Sequence, residues 1–153
     1  MRIVAADFWK RSEVVFESGE LKPALQASMA LPGIFVPMVQ DGRVYVDGGA
    51  VNPVPFDLLD DCDIVIAINV MGTRSESATL IPAFSEAVFN TFQIMQTTIL
   101  QQKLAEQPPD IYIAPDIVDV RVLDFHKAEQ VFQQAEPAKQ ALRSRIESVL
   151  GAI

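Results

Sequence analysis

The chain has 153 residues, enough for one domain with a core of its own. Hydrophobic residues make up 50% and charged residues 21%, which argues against a disordered chain. The net charge of -8 argues against nucleic acid as the main partner and against electrostatic docking on anionic membranes, since both need clustered Lys and Arg. The lone cysteine, Cys62, cannot form an internal disulfide or a CxxC metal pair. The amino-terminal apolar run is broken by Asp7 and Lys10, and no stretch reaches the roughly 20 apolar residues of a membrane span. The setting expected from this is the cytoplasm.

In chain order, Arg2 to Phe8 and Val14 to Glu17 read as two short strands separated by the charged segment Lys10 to Glu13. Leu21 to Ala30 reads as a short helix with Pro23 in its first turn, ended by Pro32-Gly33. Gly42 to Asp47 reads as a strand, with Val44 and Val46 facing one way and Tyr45 the other, closed by the turn signature Asp47-Gly48-Gly49. Pro53 and Pro55 place a loop before a short helix at Phe56 to Leu59. Asp63 to Val70 is so apolar that it reads as a strand buried on both faces. Met71 to Ala78 reads as a loop.

Pro82 to Gln107 then reads as a long helix. Its stripe of Phe84, Val88, Phe92, Met95 and Ile99 is expected to pack on the sheet, with a lipid-facing surface as the alternative. Pro108-Pro109 stops it, and Asp110 to Ala114 forms another short strand. Asp124 to Leu150 is helical, kinked or restarted at Pro137 and capped by Gly151. Alternating strands and helices around an apolar strand indicate an α/β fold.

Three segments carry a resemblance. They are Ala27-Ser28-Met29-Ala30-Leu31-Pro32-Gly33-Ile34-Phe35-Val36-Pro37, then Tyr45-Val46-Asp47-Gly48-Gly49-Ala50-Val51-Asn52-Pro53-Val54-Pro55, then Cys62-Asp63-Ile64-Val65-Ile66-Ala67-Ile68-Asn69-Val70. Together they resemble the patatin-like phospholipase family of the bacterial single-domain type, most strongly from about Ala24 to Val70. Pro108-Pro109-Asp110-Ile111 and Leu123-Asp124-Phe125-His126 extend the likeness more loosely.

The resemblance implies a three-layer α/β/α sandwich with a mostly parallel sheet. It implies that residues 1–153 are the carboxyl-terminal part of one patatin-like phospholipase domain. It also implies a serine–aspartate dyad that hydrolyses acyl esters, an activity of lipid metabolism and degradation. Asp47 would be the proton acceptor and Gly48 and Gly49 the motif glycines, with no cofactor and no metal.

The chemistry needs a nucleophile that the sequence does not contain. A serine hydroxyl requires a positioned base, and a Gly-x-Ser-x-Gly elbow requires two glycines four apart. Gly19, Gly33, Gly42, Gly48, Gly49, Gly72 and Gly151 include no such pair. The family's glycine-rich oxyanion loop is also absent. The chain is therefore expected to be a fragment, inactive on its own, with an acyl-ester or phospholipid substrate only when a missing amino-terminal half completes it. Uncovered apolar surface is then expected to drive self-association. The alternative is a non-catalytic binding or oligomerisation module.

Other candidates have plainer readings. His126 has no metal or triad partner in the sequence and is taken as structural. Ser28 is taken as a packing or capping residue, and Cys62 as a small core residue. Asp60, Asp61 and Asp63 lack EF-hand spacing and are taken as a solvated loop.

Overall fold

The computed structural model describes residues 1–73, 81–120 and 123–151. The loop expected over Met71 to Ala78 therefore lies mostly outside the described residues. The chain forms two compact units, Met1–Pro55 with Ile81–Gln107, and Phe56–Leu80 with Pro108–Ile153.

The first unit is built on a four-stranded sheet in the order β2-β1-β4-β3. Its strands are β1 (Ile3–Asp7), β2 (Ser12–Phe16), β3 (Met38–Gln40) and β4 (Arg43–Asp47). Every pairing in this sheet is antiparallel. That corrects the expectation of a mostly parallel sheet. The hairpin links β1–β2 and β3–β4, residues 8–11 and 41–42, are too short for parallel pairing, which needs a crossover of a dozen or more residues. Asp41 and Gly42, with φ of 50 and 72, make the tight turn between β3 and β4.

Helix α1 (Leu21–Ser28) lies on this sheet. Ala5 and Ala27 are fully buried, and their small side chains let helix and strand approach closely. Tyr45 joins them, with Val14, Phe16 and Met38 packed around. Its ring meets Phe16 edge-on, with centroids 5.5 Å apart. Val46, on the opposite side of β4, is also buried.

Helix α2 (Phe84–Glu106) completes the unit, with its buried residue at Leu100. The expected apolar stripe is divided: Phe92 and Ile99 are half-buried, and its other members face solvent. Phe84 is 87%, Val88 54% and Met95 53% exposed. Periodicity located the helix but only the margin of its buried face, which centres on Leu100.

In the second unit, β5 (Ile66–Ile68) pairs in parallel with β6 (Ile111–Ile113), and Ile111, Ile113, Ile117 and Ala67 are buried. The strand expected over Asp63 to Val70 is thus three residues long, and it is not buried on both faces. Ile68 is 49% and Val70 72% exposed. Helix α3 (Ala128–Leu150) runs without interruption through Pro137. Pro137 removes the donor to the carbonyl of Gln133, an exposed residue whose carbonyl water can satisfy. Gln134 bonds both the N–H and the carbonyl of Val118, and Arg145 donates to the Tyr112 carbonyl.

Candidate functional site

Asp47 ends β4, and its half-buried side chain caps the short 3₁₀ helix Gly48–Ala50. One carboxylate oxygen, Oδ1, accepts the backbone N–H of Gly49 at 2.7 Å. The backbone N–H of Asp47 donates to the Ala30 carbonyl at 3.0 Å. That bond joins the 27–37 segment to the end of β4, though Ala30 and Asp47 are 17 residues apart in the chain.

Burial lifts the Asp47 carboxyl above its ordinary value of 3.8, and the Gly49 N–H pulls it part of the way back. A carboxylate so placed is a better base than one in open water.

The two glycines have different jobs. A Cβ on Gly48 would overlap the backbone carbonyl of Val4 in β1. A Cβ on Gly49 would run into Gln96 Nε2 of α2 and crowd Asp47 Oδ1, 2.9 Å from it. Gly48 lets the turn press against the sheet, and Gly49 leaves room beside the carboxylate.

Behind the turn stands a polar network with no sequence-spacing signal. Asn52 is 5% exposed. Its Nδ2 donates to Glu13 Oε2 of β2 at 2.7 Å, and its Oδ1 accepts from Lys103 Nζ of α2. Lys103 also donates to the Val54 carbonyl at 3.0 Å. The backbone N–H of Asn52 donates to the Gly48 carbonyl at 2.8 Å. Only the Asn-Pro of the motif hinted at this network.

A second carboxylate also went unread. Asp7, at the end of β1, is 2% exposed. Its Oδ1 accepts the Lys10 N–H at 3.0 Å, whereas its buried Oδ2 has no hydrogen-bond partner among the described residues. An Asp before a turn gives no sequence sign of burial.

Beside α1 an apolar groove of about 350 Å³ is lined by Gln26, Met29, Phe35, Val36 and Met38. Met38 is the strand neighbour of Tyr45, two residues before Asp47.

The remaining candidates fall elsewhere. Cys62 is exposed, which corrects its reading as a core residue. His126 is exposed and Ser28 half-buried at the end of α1. Among the described residues no group of His, Cys, Asp and Glu could hold a metal ion, Asp60, Asp61 and Asp63 included. Among them, too, no helix is long and apolar enough to cross a membrane.

Comparison with known proteins agrees with the motifs. Residues 1–60 match the family model of the patatin-like phospholipases. An NTE family protein of Mycobacterium tuberculosis is 35% identical over 77 residues, covering 49% of this chain and 21% of that protein. The lysophospholipase NTE1 of Kluyveromyces lactis is 25% identical over 145 residues, covering 78% of this chain and 10% of the yeast protein. A second Mycobacterium tuberculosis NTE family protein is 21% identical over 163 aligned positions, covering 90% of this chain and 28% of its own length. The chain thus spans about a fifth of the length of the mycobacterial relatives it matches at 35% identity. Through its first 60 residues, where both flanking motifs and Asp47 lie, this α/β chain is related to the patatin-like phospholipases.

Proposed function

We propose that this chain supplies the catalytic aspartate of a serine–aspartate acyl-ester hydrolase acting on phospholipid or related lipid esters. Asp47 is the proton acceptor, and Gly48 and Gly49 shape its turn. The observation that carries the reading is the half-buried Asp47 carboxylate, anchored on one side by Gly49 and raised in pKa by its burial. The similarity to lipid hydrolases and the apolar lining of the groove beside α1 support it.

In this reading both compact units belong to one patatin-like phospholipase domain, a three-layer α/β/α sandwich when complete. Its amino-terminal half provides the serine and the oxyanion donors, and the setting is cytoplasmic. In the reaction the serine hydroxyl attacks the ester carbonyl as its proton passes to Asp47, and Asp47 hands that proton to the alcohol oxygen as the ester bond breaks and the alcohol leaves. The freed carboxylate then deprotonates a water that attacks the acyl-enzyme, and the proton goes to the serine oxygen as the fatty acid departs.

The test is reconstitution. Co-expression with a patatin-like amino-terminal half bearing Gly-x-Ser-x-Gly should give hydrolysis of a p-nitrophenyl acyl ester. Asp47→Ala should lower kcat by roughly 10²–10⁴-fold, the usual worth of a positioned base. The chain without that half should show no turnover. Ester hydrolysis by the pure chain, or an assembled enzyme indifferent to Asp47→Ala, overturns the assignment. The absence of two glycines four apart favours a second reading, a non-catalytic binding or oligomerisation module. It gains if a correctly assembled pair folds and stays inert.

A further inference from the structure

The side of α2 that meets the aspartate turn is defined by Gln96, Leu100 and Lys103, at helical spacings of four and three. Leu100 is 3% exposed and anchors that side. One turn before it, Gln96 Nε2 borders the space beside Gly49 that Asp47 Oδ1 borders from the other direction. One turn after it, Lys103 grips the Asn52 side chain and the Val54 carbonyl. Asn52 is tied in turn to Glu13 and, through its N–H, to the carbonyl of Gly48. A single helix face thus borders the 48–54 loop at Gly49 and grips it at Asn52 and Val54.

We propose that Lys103 and Gln96 are positioning residues for Asp47, bracing the 48–54 loop so that the Gly49 N–H stays on the carboxylate. The functional meaning of this assignment rests on Asp47 being the proton acceptor. Lys103 acts through Asn52 and Val54, and Gln96 through its place beside Gly49. Lys103 suits the task because an ammonium donates to more than one acceptor and accepts none, here a buried amide oxygen and a backbone carbonyl. Bonds from a charged donor are about twice as strong as neutral ones.

Other charged groups border the same region. Asp7 lies on β1 beside Tyr45, Arg43 on β4 itself, and Lys22 is exposed on α1. β3 and the 48–50 turn carry no charge. Glu13 faces Asn52 from β2. A pH readout must therefore separate positioning from bare charge.

The Gly49 amide gives that readout, since it donates directly to Asp47. Its ¹⁵N–¹H signal is followed against pH in the full chain, together with its hydrogen-exchange rate. Lys103→Met should speed Gly49 exchange about tenfold, the equivalent of one ordinary hydrogen bond. It should also move the titration midpoint to higher pH, as a carboxylate losing its donor does. Lys103→Arg should restore both. Asn52→Ala keeps the Lys103 charge but cuts the link, so it should raise exchange as Lys103→Met does. Gln96→Ala, the smallest change, should weaken the Gly49 bond while the fold is kept, and it decides the matter if the others do not fold.

Wild-type exchange and midpoint at Gly49 in folded Lys103→Met or Gln96→Ala, whatever the loss of thermal stability, overturn the proposal. These signals belong to this chain, so they succeed or fail apart from the esterase assay. An inert reconstituted enzyme would refute the base assignment and leave the brace standing.

Discussion

A carboxylate in a half-buried place leaves a signature in the pH dependence of stability. Burial raises the Asp47 pKa in the folded chain above the ordinary 3.8. Below 3.8 the group is protonated in both states and the fold keeps its full stability. As pH rises through the folded pKa, the native state must give up a proton that it holds more tightly than the unfolded chain does, and stability falls. Asp47→Asn keeps an acceptor for Gly49 and removes the charge. It should therefore unfold at a higher temperature than the parent at neutral pH, and the gain should vanish on the acid side of 3.8. Calorimetry at the two pH values checks the sign.

The neighbouring glycines separate in the same way. Gly48→Ala forces a methyl group into the Val4 carbonyl, a backbone atom that cannot yield. It should cost about 1–3 kcal/mol of stability, as overpacking does. Gly49→Ala meets mainly the flexible end of Gln96 and the Asp47 carboxylate. Its stability cost should be smaller, and its mark should appear as an altered Asp47 titration.

At the scale of elements, Leu100 is the buried point of α2. Leu100→Ala should cost roughly 2–5 kcal/mol, the range for a truncated core leucine, whereas Phe84→Ala, at a residue 87% exposed, should cost little. Urea unfolding of the two variants ranks them directly. The contrast also marks where sequence reading runs out. Strands β1, β2 and β4 and helices α1, α2 and α3 were legible because their signals are local: β-branched runs, proline stops and helical periods. Strand β3 was not, because three residues after Pro37 give no alternation to detect. Helix α2 was legible as a helix, but the apolar period caught only the margin of its inner side, at Phe92 and Ile99. Its inner side meets the Asn52 amide and the Val54 carbonyl, so Lys103 stands there beside Leu100 and Gln96. Asp47-Gly48-Gly49 could be found by its motif. Lys103, 51 residues from Asn52 in the chain, could not, since no spacing rule links a helix-end lysine to a loop amide.

At the scale of the whole molecule, two opposing tendencies set its behaviour in solution. A net charge of -8 makes copies repel. Against that, Val36 is 88%, Ile81 95%, Phe84 87% and Val88 54% exposed, which leaves apolar surface that water solvates poorly. Repulsion between exposed charges reaches only about 10 Å in 0.1 M salt and about 3 Å in 1 M, while apolar attraction does not weaken with salt. Self-association should therefore grow with ionic strength, seen in light scattering as a rising mean mass with concurrent binding of a hydrophobic dye. Phe84→Lys, which places a cation in the stripe without touching a buried residue, should reduce dye binding at every salt concentration. A complementary amino-terminal half that covers these residues should suppress both signals in proportion to the esterase activity that it restores. A chain that stays monomeric and dye-free from low to high salt would show that these side chains form no adhesive surface, and the docking half of the functional proposal would lose its physical basis.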